Sequence, residues 1–229
     1  MTNDKEFILL LNDLAQDFHK HGEDNLPPTI DNLGRPDIKE LYEEIYRSFK
    51  SGNQILALAG ERILLEHFIN MVWVSSKFRQ EQLKGSFINW EKSMEYKKAL
   101  MAKVENLGYE AKKKDINNIF ENNDFKNLEL IYNFSGNSAI HSKFLYFIKL
   151  FQKHNLLSYE MPVGRGKIVN GKVHPETTMM DLAHPLFLFI GFKRVAEQAV
   201  GPILLFIHGI VVKYSEILGP LPDKQLGFN

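Results

Sequence analysis

Between Gln54 and about Phe78 the sequence QILALAGERILLEHFINMVWVSSKF is apolar around most of a helical circumference, and it restricts the fold more than any other segment. A helix of this kind has little surface to give to water, so it belongs at the centre of a bundle. Three polar residues interrupt it. Arg62, Glu66 and Asn70 are spaced by four and form one stripe along the helix. Burying that stripe demands partners, because an uncompensated buried charge costs several kcal/mol. Arg ahead of Glu is the less favourable order for a pair within one helix, so both are expected to reach neighbouring helices.

Other segments supply those neighbours. Phe7, Ile8, Leu11, Leu14, Ala15 and Phe18 recur at helical spacing over residues 4–20. The proline- and glycine-rich connector GEDNLPPTIDNLGRPD follows, and Asp37 can cap a helix carrying Leu41, Ile45 and Phe49. FINWEKSMEYKKALMAKVENLG reads as an amphipathic helix with Trp90, Met94 and Leu100 inward. LELIYNF meets a turn at Ser135, Gly136 and Asn137, from which AIHSKFLYFIKLFQKH continues as a second central helix over 138–153. Asn170-Gly171 favours a two-residue hairpin turn. Thr177 or Thr178 can cap a helix through MMDLAHPLFLFIGFKRVAEQAV, with a kink at Pro185, and Gly201-Pro202 is expected to open a last one.

The fold expected is therefore all-α, a multi-helix bundle with a small β-hairpin insertion near residues 163–175. One domain is expected over 1–229. It comprises an N-terminal helix and connector over 1–35, a core bundle over 36–155, the hairpin, and a pair of C-terminal helices over 177–218.

Lys plus Arg and Asp plus Glu both number 28, so no global field steers the chain to nucleic acid or to an anionic membrane. Cysteine is absent, which removes disulfides and thiolate chemistry. An acidic residue ahead of the first apolar run leads us to expect a cytoplasmic protein. Lys193, Arg194 and Glu197 interrupt the most apolar stretch, Leu186 to Val212, and argue against a membrane span. No cofactor motif is evident. His174, Asp181, His184 and His208 form no metal-binding spacing beyond the close pair Asp181 and His184, so no metal is expected. Gly164-Arg165-Gly166-Lys167 lacks the ending of a phosphate-binding loop and reads as a hairpin tip, and Lys112 to Lys114 reads as a solvated helix face.

The second polar group is Tyr132, Ser135, Asn137 and His141. If a helix begins at Ser135, an amide and an imidazole stand near its N-terminus, where the dipole and free N–H groups suit a phosphate. In such a site His141 would be general acid or base, Arg62 would steady phosphate charge and Glu66 would orient one of them. Asn70, Tyr132, Ser135 and Asn137 would complete the binding.

ERILLE on a core helix followed by YNFSGNSAIH resembles prokaryotic helical families of the HEPN (higher eukaryotes and prokaryotes nucleotide-binding) superfamily. The likeness covers roughly residues 40 to 155. It implies a bundle of four or more helices, often dimeric, that serves in stress or defence systems either as an RNase or as a non-catalytic binding module. Catalytic members carry an Arg, a polar residue, spacers and a His at the start of a late helix; SGNSAIH matches with Asn137 and His141 and has no arginine in the leading place. Arg62 and His67 satisfy the count within RILLEH but lie about 140° apart around a helix axis. Two expectations follow. One is a HEPN-like protein that binds RNA or a nucleotide and cleaves RNA in its active form; the other is a non-catalytic, homodimeric helical interaction protein in which Arg62 and Glu66 are a structural ion-pair network. The sequence does not decide whether the chain is an enzyme.

Overall fold

The computed structural model describes residues 4–30, 36–85, 113–121, 125–157, 161–163, 166–169, 172–173 and 185–214. Its α-helices are α1 (Asp4–His21), α2 (Pro36–Lys50), α3 (Gln54–Gly85), α4 (Lys113–Phe120), α5 (Lys126–Ser135), α6 (Phe144–Lys153) and α7 (Pro185–Lys213). A π-helical turn, Gly136–Ile140, extends α5. The described part is an all-α bundle.

The helix ends follow from local chemistry. Pro36 occupies the first position of α2, where its missing N–H is no loss, and Asp37 lies in the first turn, where the dipole favours a carboxylate. Gly52 ends α2 at φ +80°. The Gly52 N–H donates to the Phe49 carbonyl at 3.0 Å and the Asn53 N–H to the Ser48 carbonyl at 2.9 Å. This paired arrangement closes the helix C-terminus. It also turns the chain within three residues, which lays α2 antiparallel along α3.

The core sits where α7 packs on α1, α3 and α6, with α2 on α3 and α5 on α1. Phe134 of α5 stacks on Phe7 of α1 with ring centroids 4.4 Å apart and meets Phe147 of α6 edge-on at 4.9 Å. Leu58, Leu64, Leu65, Phe68 and Ile69 of α3 are buried, as the apolar circumference of that segment requires.

The C-terminal pair of helices expected over 177–218 is one helix in the described residues, and Pro202 lies inside it. Val195, Ala199, Ile203 and Ile207 are all buried at a spacing of four across the proline, so packing on both sides holds the segment as a unit. The carbonyl that Pro202 leaves without its helical donor belongs to Gln198, a residue on the exposed side of the helix. Pro185, expected at a kink, is instead the first residue of this helix. Leu188–Lys213 is long and apolar enough to cross a membrane, and over half of that window is buried within the protein.

α3 also runs farther than the expected end near residue 77, continuing to Gly85. The segment 87–108, with Trp90, Met94 and Leu100, lies outside the described residues, as do Thr177 and Thr178. Short extended segments, β1 (Met161–Val163), β2 (Gly166–Val169) and β3 (Lys172–Val173), pair antiparallel, with Met161 opposite Ile168 and Ile168 opposite Val173.

Candidate functional site

Arg62 leaves α3 toward the junction between α5 and the π turn. Its Nε and Nη2 donate to Glu66 Oε1 at 3.0 Å and 2.7 Å, and its Nη1 donates to the backbone carbonyl of Tyr132. The guanidinium lies over the Tyr132 ring, with Cζ 3.2 Å from the centroid. Phe120 of α4 packs against the same ring, tilted by 58° at a centroid distance of 5.5 Å. The Tyr132 hydroxyl donates to Glu66 Oε1 at 3.4 Å. Burial pushes the Tyr132 phenol up; Arg62 opposes that shift and Glu66 reinforces it.

The spacing of four that suggested partners on other helices thus has two outcomes. Arg62 does reach another helix, through Tyr132. It also pairs with Glu66 on its own helix, despite the less favourable order, because the Tyr132 ring and the junction hold it in place.

The junction owes its geometry to the string SGNS. Ser135 Oγ donates to the Ile131 carbonyl at 2.9 Å, Asn137 Nδ2 to the Asn133 carbonyl at 2.8 Å and Ser138 Oγ to the Phe134 carbonyl at 2.6 Å. Three short side chains thus occupy carbonyls that backbone N–H groups would otherwise take. The helix widens, and the His141 N–H bonds the Gly136 carbonyl five residues back at 3.0 Å. Gly136 is required because Arg62 presses on it: a Cβ there would stand 2.5 Å from Nη1.

This overturns one expectation. No helix begins at Ser135; α5 ends there and the chain stays helical through Ile140. Asn137 therefore lies in the closing turn of a helical segment, where carbonyls carry partial negative charge, and His141 stands between that end and the start of the next helix. The second central helix, expected over 138–153, begins only at Phe144.

His141 is exposed, and among the described residues no hydrogen bond or ion pair joins it to Arg62. Asn137 accepts from Lys143 Nζ at 2.6 Å, and Asn70 is part-buried farther along α3. The stripe and the turn meet at Arg62, Glu66, Tyr132 and Gly136. His67 looks elsewhere, its Nε2 lying 2.6 Å from Asp37 Oδ2 of α2. Arg62 and His67 thus serve different neighbours. Among the described residues no group of three or more His, Asp or Glu is placed to hold a metal ion. His174, Asp181 and His184 lie outside them, and His208 lies part-buried against Tyr42, ring centroids 5.7 Å apart.

Sequence reasoning passed over Glu61. It is fully buried, and neither carboxyl oxygen has a hydrogen-bond partner. Its one signal was a glutamate on the apolar side of a central helix, hidden beside the more conspicuous Arg62.

Comparisons with protein-family models, characterised proteins and solved structures give no match to this chain.

Proposed function

We propose that this chain is a HEPN-like helical interaction protein of a prokaryotic stress or defence system, cytoplasmic and homodimeric, in which Arg62 and Glu66 organise the fold. The observation that carries this reading is the commitment of Arg62: all three guanidinium nitrogens donate inside the protein and its face is covered by Tyr132. A guanidinium so engaged has little left with which to steady a phosphate. A further part of the reading is a small β-hairpin insertion near residues 163–175 that serves as an accessory contact element.

A second reading is RNA or nucleotide binding at the His141 turn, with cleavage in its active form. It draws on the π turn, a feature frequent at functional sites, and on the exposure of His141 and Lys143.

RNA binding and cleavage assays on wild type, Arg62→Ala and His141→Ala, with folding checked by circular dichroism, separate the two. The first reading expects no cleavage and no RNA affinity that His141→Ala removes. Activity lost in folded His141→Ala overturns it. Light scattering tests the dimer; a monomer at all concentrations removes that part.

A further inference from the structure

Glu61 of α3 is fully buried beside the α2–α3 contact. Its neighbour Gly60 touches α2 so tightly that a Cβ there would stand 2.7 Å from Ile45 Cγ1. Tyr42 of α2 lies within electrostatic reach of both Glu61 and Tyr46, and His208 of α7 lies against the Tyr42 ring. None of these supplies a cation at neutral pH, since burial pushes His208 down. The Tyr42 hydroxyl donates to the Pro27 carbonyl at 2.9 Å and is not spent on Glu61. Arg62, next along the chain, points away to Tyr132. Among the described residues, a carboxylate in such a place would be a buried charge with neither counter-ion nor hydrogen bond, and native structures avoid this.

We propose that Glu61 is a buried proton-binding group that ties closure of α2 on α3 to proton concentration, the interface closing around the neutral acid and loosening when the acid ionises. The device is built into the fold and is independent of any ligand.

Burial pushes the Glu61 carboxyl well above its ordinary value of 4.5. The direction of the pH effect follows from linkage. The folded chain keeps a proton that the unfolded chain releases above that value, so stability is complete below it and falls as pH rises toward the raised folded value. His208 acts in the opposite sense on the acid side. Burial pushes the Tyr42 phenol up, so it stays neutral across this range.

The test is urea unfolding of the full chain from about pH 6 to about pH 8 for wild type, Glu61→Gln and Glu61→Met. Relative to either variant, wild type should lose about tenfold in its folding equilibrium constant per pH unit. A wild-type-to-variant difference that stays constant across the range overturns the proposal. If neither variant folds, infrared spectroscopy of wild type at neutral pH decides. A protonated-carboxyl C=O stretch that disappears on alkaline titration together with loss of α2 hydrogen-exchange protection supports the proposal, and absence of that band overturns it.

Discussion

A methyl group at Gly136 would stand 2.5 Å from Nη1 of Arg62, so glycine and guanidinium fill adjoining space across the contact between α3 and the π turn. Gly136→Ala is therefore expected to destabilise the protein by about 1–3 kcal/mol through overpacking. In an Arg62→Ala background the methyl has room. Urea denaturation of the double-mutant cycle should return a coupling energy of about 1 kcal/mol or more.

The Arg62–Glu66 pair is unequal. The arginine side chain is 15% exposed and the glutamate 50%. Arg62→Ala removes a charged donor from the part-buried Tyr132 carbonyl, which keeps the Gly136 N–H and Ser135 Oγ, and uncovers the Tyr132 ring; we expect a loss of about 2 kcal/mol. Glu66→Ala leaves most of that in place and should lose less than about 1 kcal/mol. Arg62→Lys should not restore wild-type stability, because an ammonium has no planar face to lay on the ring while donating to both Glu66 and the Tyr132 carbonyl. Equal losses for Arg62→Ala and Glu66→Ala in chemical denaturation would contradict this account.

At the crossing of α1 and α7, a Cβ on Gly201 would stand 2.6 Å from Phe18 Cζ. Gly201→Ala is expected to lower stability by roughly 1–3 kcal/mol, and adding Phe18→Leu should relieve part of the loss. Thermal unfolding monitored by circular dichroism reads both.

Burial pushes the His208 imidazole below its ordinary value of 6.5. The folded state thus resists a proton that the unfolded chain accepts, so this contribution is present above 6.5 and is lost as pH falls through the lower folded value. His208→Phe should flatten the fall in Tm between about pH 6.5 and about pH 5 relative to wild type. A parallel fall in both proteins would show that His208 takes no part.

His141 is exposed beyond the π turn, so His141→Ala should change stability by no more than about 0.5 kcal/mol. A larger loss in urea denaturation would place the ring in packing that its exposure denies. The same variant then gives a clean test of ligand binding.

Parts of this architecture were legible from local pattern. The spacing of Phe7, Ile8, Leu11 and Phe18 marks the buried face of α1, and the apolar circumference of residues 54–78 marks α3 as central. Gly201-Pro202 misled, because a dipeptide that usually punctuates a helix is overridden when buried residues continue at helical spacing on both sides. Ser135, Gly136 and Asn137 misled for a related reason. Their side chains can cap a helix beginning or bond backward to carbonyls, and local sequence does not say which.

Periodicity, then, was sufficient for the all-α class and for the polar stripe of Arg62, Glu66 and Asn70, since both depend on contacts within one turn of helix. Whether Arg62 would be free for a ligand was decided only in three dimensions, by the carbonyl and ring of Tyr132, 70 residues away. The isolation of Glu61 was decided there too. A side chain's partners are set by what the folded chain packs against it, and a glutamate beside an arginine in sequence points some 100° away from it around a helix.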